Sequence, residues 1–121
     1  MTEKTNSKIT IRLMADWETG PFWVAVGGGV AHPYGVEEIT DVVPVDVGLL
    51  ERVQVWDSRF QATYDDANPR DAGFATTEEQ ATFNAEGREL ARQLREALPA
   101  DIDVEYGPFG ENGYEVIEAS R

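Results

Sequence analysis

Apolar residues recur with two different periods along this chain, and the change between them divides it into elements. In "KITIRLMA", residues 8–15, Ile9, Ile11, Leu13 and Ala15 alternate with Thr10, Arg12 and Met14, the pattern of a strand with one buried face. "GPFWVAV" supplies a second short β-rich run over Phe22 to Val26 before three glycines interrupt it. Residues 36–45, "VEEITDVVPV", read as an irregular or extended connection ending near Pro44. From Asp46 the period lengthens. Leu49, Val53, Trp56, Phe60 and Tyr64 follow one another at helical spacing, with Asp46 placed to cap the helix.

Asn68, Pro69 and Gly73 end that helix. Thr76 and Glu79 stand at the spacing of a capping box. A second, longer helix therefore starts near Thr77, with Phe83, Gly87, Leu90, Leu94 and Ala97 or Leu98 on its apolar stripe and Pro99 closing it. Gly87 within that stripe implies a close approach by the backbone of another element, since glycine there costs about 1 kcal/mol relative to alanine. "IDVEY" alternates again, "GPFGENG" is rich in turn residues, and "YEVIEA" returns as a hairpin partner.

The order strand, optional strand, helix, helix, strand, strand predicts an α+β two-layer sandwich. Two antiparallel helices would cover one face of a three- or four-stranded sheet. The chain's 121 residues fit one domain, with residues 1–7 expected to be a flexible N-terminus.

Charge adds what periodicity cannot. The net charge is −13, and between Arg12 and Arg52 there is no Lys or Arg, while Asp16, Glu18, Glu37, Glu38, Asp41 and Asp46 all fall there. The tail from residue 99 repeats this, with six acids against Arg121. Such a field repels phosphates and attracts cations, which argues against direct nucleic-acid binding and for a basic protein partner. Acidity of this degree also serves solubility alone. With no cysteine, disulfides, thiolate zinc sites and cysteine nucleophiles are absent. The first twenty residues contain no apolar run of signal-peptide or membrane-span length, so a cytoplasmic protein without a membrane segment is expected.

Candidate chemistry is sparse. "VGGGVAHPYG" has three glycines but neither the following Lys and hydroxyl of a phosphate loop nor a helix to open, so Gly27–Gly29 are expected to turn the chain. His32, the only histidine, has no evident orienting partner or nucleophile, and carboxylates alone make a poor zinc site. "YDDANPRDAG" over 64–73 fails as a calcium loop, because counting from Asp66 places Arg70 fifth and Thr77 twelfth. No cofactor and no metal are expected. Trp17, Phe22, Trp23 and Tyr34 lie in or beside the acid-only block and outside both helical stripes. Aromatics ringed by acids suit a surface that anchors a cationic partner, although the same residues would also close one end of the core.

Trp56, Phe60, Ala62 and Thr63, the Asp-rich loop to Gly73 and Phe74, and "FNAEGRELA" at 83–91 resemble a recurrent family of small acidic proteins of high-GC bacterial genomes. No activity is assigned to that family, so the resemblance transfers no catalytic residues. The chain is also similar, by analogy of size and charge, to immunity proteins that neutralise secreted toxins.

The leading expectation is a non-enzymatic binding module of the immunity or antitoxin type that covers a basic surface. Trp17, Glu18, Trp23, Tyr34, Glu37, Glu38 and Asp41 are its candidate contact residues. Two other readings stay open. One is an acidic nucleic-acid mimic that occupies a DNA- or RNA-binding protein. The other is a small enzyme or ligand-binding protein that uses the Gly27–Gly29 loop as a lid over His32.

Overall fold

The computed structural model describes residues 8–63, 73–111 and 113–118. Five strands, β1 (Ile9–Met14), β2 (Phe22–Val26), β3 (His32–Tyr34), β4 (Asp103–Gly107) and β5 (Glu115–Ile117), form one sheet in the order β3-β2-β1-β4-β5. β1 is central, antiparallel to β2 and parallel to β4, and the outer pairs are antiparallel. The parallel β1–β4 pair needs a crossover. It is supplied by helices α1 (Val47–Gln61) and α2 (Thr77–Ala97), preceded by a short 3₁₀ helix at Ile39–Asp41. This is the expected α+β arrangement with one strand more. The added strand is β3, which carries Pro33. A proline cannot donate to a ladder and is tolerated at a sheet edge, where β3 lies.

Alternation decides which residues meet the helices. Ile11, Leu13, Phe22, Val24, Val104 and Tyr106 are buried on the covered face. Arg12, Trp23, Glu105 and Val116 stand side by side on the open one. α1 contributes Leu49, Val53, Trp56 and Phe60 to the core, and α2 contributes Phe83, Leu90, Ala91 and Leu94. Both expected caps form: Asp46 accepts from the Leu49 N–H at 3.1 Å, and Thr76 accepts from Glu79 N–H at 3.0 Å. Glu79 reaches back to the Ala75 N–H rather than to that of Thr76. Tyr64 and most of the 64–73 loop lie outside the described residues, as does the N-terminal segment 1–7.

The connection 36–45 is more than a linker, since it sends Ile39, Val43 and Val45 into the core. In the last turn of α2, Arg95 is buried and donates to the carbonyls of Ile102 and Pro99, each at 2.6 Å. It thereby satisfies chain reversal after α2 with a charge-assisted cap. Asn84, also buried, holds the loop after β4 with two bonds to the Phe109 backbone, one accepted at 3.0 Å and one donated at 2.9 Å. Asn84→Ala leaves both backbone groups unpaired, and denaturant unfolding is expected to show a loss of about 2 kcal/mol. A loss below about 0.5 kcal/mol would mean that water replaces the amide there.

Candidate functional site

The glycine triplet makes a tight turn. Gly27 and Gly28 both have positive φ, +62° and +79°, and Gly29 N–H closes the turn on the Val26 carbonyl at 3.0 Å. Two successive positive φ values define the hairpin turn whose twist matches that of the flanking strands, and here they carry β2 into β3. His32 is exposed at the edge of the sheet.

The aromatic candidates divide among three places. Phe22 is fully buried. Trp17 is half-buried and stacks on Phe60 with ring centroids 3.9 Å apart. Tyr34, opposite Phe22 in the β2–β3 ladder, packs against the edge of the core. Trp23 is on the open face of the sheet, where its indole N–H donates to the Met14 carbonyl at 3.1 Å. The structure therefore does not gather Trp17, Trp23 and Tyr34 on one surface.

The acidic candidates gather better. Glu37 and Glu38 line a cleft of about 330 Å³ with Gly20, Gln54, Asp57 and Ser58. The Glu38 carboxylate accepts from Gly35 N–H at 2.8 Å, which fixes the chain entering the 3₁₀ helix. Asp41 is exposed in that helix. Gln61 ties the turn after β1 to α1. Its carbonyl accepts from Glu18 N–H at 2.9 Å, and its amide donates to the Asp16 carbonyl at 2.8 Å and to the Asp57 carboxylate at 3.3 Å. Glu18, held at a positive φ of 60°, is exposed.

Asp57 was not among the sequence candidates. It falls four residues after the buried Val53 and beside Trp56, so it borders the apolar stripe of α1, and that spacing was its only signal. Burial raises the pKa of its carboxyl above the ordinary value, and the bond from Gln61 offsets part of the rise. The folded state thus binds this proton more tightly than the unfolded chain. The sign follows: Asp57's contribution to stability falls as pH rises from its unfolded pKa through its folded pKa. Asp57→Asn keeps an acceptor for Gln61 and removes the half-buried charge. Its melting temperature at pH 7 is expected to rise by about 2 °C, with the gain vanishing near pH 3; an equal gain at both pH values would locate the effect elsewhere.

The bases are occupied elsewhere. Among the described residues the ion pairs are Lys8–Asp103, Arg12–Glu105, Arg59–Glu86, Arg88–Glu115 and Arg92–Glu89. Arg52 donates to Gln93, and Arg95 is the buried cap. None of these bonds uses Asp16, Glu18, Glu37, Glu38, Asp41 or Asp57. Among the described residues no group of three or more His, Asp or Glu side chains is placed to hold a metal ion.

Among the described residues, then, Glu37, Glu38 and Asp57 share one cleft and none of them pairs with a Lys or Arg. Residues 9–108 match the family described as Serratia CdiI immunity protein-like. The chain belongs to this family. The match runs from the first residue of β1 to just beyond β4. The immunity-protein-like region therefore includes both helices and the acidic end, and leaves β5 outside. No curated protein matches the chain at a significant level. Among the described residues of this immunity-protein-like chain, no helix is long and apolar enough to cross a membrane.

Proposed function

We propose that the chain is an immunity protein: a non-enzymatic inhibitor that binds a toxin and covers a basic surface on it. The covering surface in this reading is the acidic cleft of Glu37, Glu38 and Asp57, extended to Glu18, whose N–H is bonded to Gln61, and to Asp41, whose N–H is bonded to the Glu38 carbonyl. Trp17 and Tyr34 support it from the core side. Trp23, on the opposite sheet face, stays outside this surface. The observation that carries the reading is the distribution of bonds, in which every described Lys and Arg has a partner and none of those partners is Glu18, Glu37, Glu38, Asp41 or Asp57. Burial already penalises the Asp57 charge, so a cation brought against the cleft gains more from it than from a fully solvated carboxylate. Complementary charge also speeds encounter.

The test has two stages. The purified chain is used as bait in lysate of its native cells, washed at low and at raised salt, with nuclease added to a parallel sample. A basic protein retained without nucleic acid is then produced alone and together with this chain in a growth assay. Growth arrest by the partner, relieved by the chain, is the expected result. A retained protein that does not arrest growth, or arrest that the chain does not relieve, defeats the immunity reading. Displacement of several unrelated DNA-binding proteins by DNA would support a nucleic-acid mimic instead.

A further inference from the structure

α1 carries a second row of residues that faces away from the core. Val47, Glu51, Val55, Ser58 and Ala62 follow at helical spacing opposite the buried stripe. Val47 is 70% exposed and Val55 62%. A β-branched residue is a weak helix former, and a solvent-facing helix position gains nothing from an aliphatic side chain that stays wet. Val47 and Val55 thus leave aliphatic side chains on a helix face that the core does not cover.

Val55 lies where the surface hollows meet. With Glu51, Gln54, Ser58, Arg59 and Ala62 it lines a depression of about 630 Å³. Gln54 and Ser58 belong also to the acidic cleft of Glu37, Glu38 and Asp57. On the other side, Glu51, Val55 and Arg59 continue into a groove of about 520 Å³ floored by Trp56 and Leu90. The apolar spot and the acidic cleft are thus one continuous surface. The two bases bordering the groove, Arg52 and Arg59, already donate to Gln93 and Glu86 of α2. Toward the cleft, the acids Glu51, Glu37, Glu38 and Asp57 face no base other than Arg59, which is already paired with Glu86.

We infer that the toxin bound by the acidic end also seats an aliphatic or aromatic side chain on Val55, and that this side chain is flanked on the toxin by Lys or Arg facing Glu51 and the cleft. The inference rests on the immunity reading and names the chemistry of its partner. Charge complementarity selects this occupant. A second copy of the chain, with its net charge of −13, would bring acidic clefts against each other. The open sheet face is a poorer match for a cationic partner. Its Arg12 already pairs with Glu105 at 3.2 Å and lies 3.5 Å from the Tyr114 ring centroid, so its charges are satisfied internally.

The toxin identified by growth rescue is purified, and its affinity is measured for the wild-type chain, Val55→Glu and Val116→Glu. The last change adds the same charge on the open sheet face, where Val116 is 66% exposed. Val55→Glu improves helix propensity and places a carboxylate four residues before Arg59, so its melting temperature should not fall. It also adds negative charge, which favours a cationic partner. A loss of affinity of tenfold or more in Val55→Glu therefore reports a lost apolar contact. Val116→Glu is expected to bind within twofold of wild type. Unchanged affinity in Val55→Glu, or the larger loss in Val116→Glu, overturns the inference while growth rescue leaves the immunity reading standing. Failure of growth rescue removes both.

Discussion

Gly87→Ala is expected to destabilise the fold by about 3 kcal/mol or more, the range of a strained overpacked core. For a chain of this size that corresponds to a fall in melting temperature of roughly 10 °C. A Cβ at position 87 would lie 2.5 Å from Trp56 Cζ2, 2.5 Å from the Tyr106 hydroxyl and 2.8 Å from Tyr106 Cε1. Neither ring is free to retreat. Trp56 stacks on Phe83 with centroids 4.6 Å apart and donates its indole N–H to the Phe83 carbonyl at 3.0 Å. The Tyr106 hydroxyl donates to the Asn84 carbonyl at 2.9 Å. Both acceptors are on α2 itself, a turn before Gly87, so moving the helix away drags the bonds with it. Alanine gains about 1 kcal/mol in helix propensity, and the clash exceeds that gain. Equal or higher stability of Gly87→Ala in denaturant unfolding would show that α2 shifts freely over the sheet.

The same position shows where the sequence was informative and where it stopped. A glycine on an apolar helical stripe announced a close approach, yet the approaching groups are two side chains, from α1 and β4, rather than the backbone that was expected. Caps were legible because they are local: Asp46 and Thr76 act within three residues of themselves. Period-two and helical stripes placed β1, α1 and α2 for the same reason. The parallel pairing of β1 with β4 joins residues about ninety positions apart, and no local signal encodes it. Ile39, Val43 and Val45 form too short a run around a 3₁₀ turn to show a period. Strand alternation did hold unused information about the candidate surface. Phe22 and Trp23 are consecutive in β2 and so must face opposite sides of the sheet. That alone separates Trp23 from aromatics packed on the helix side. Glu37 and Glu38 meet Asp57 of α1 across one cleft, and Gln61 of α1 holds the turn that carries Asp16 and Glu18.

Reversal of Glu37 and Glu38 to lysine together is expected to weaken toxin binding by roughly a hundredfold at low salt, as a four-unit change in local charge facing the basic surface proposed for the toxin. The two positions are not equivalent. Glu37 is exposed and its side chain makes no hydrogen bond or ion pair among the described residues, whereas the Glu38 carboxylate holds Gly35 N–H. Glu38→Lys therefore mixes a charge effect with a loosened turn. Glu37→Lys alone, and Glu38→Gln, which keeps an acceptor and removes only the charge, separate the two contributions. Each should cost a smaller factor than the double reversal, and neither should lower the melting temperature. Salt supplies the decisive comparison. Exposed charges are screened beyond about 8 Å at physiological ionic strength, so wild-type affinity should fall steeply with salt while the doubly reversed protein responds weakly or in the opposite sense. The apolar contact assigned to Val55 should keep its effect at high salt, because burial of apolar surface does not depend on Debye screening. Parallel salt dependence in wild type and double reversal, at similar affinity, would mean that the acidic end keeps the chain soluble and that the toxin docks elsewhere.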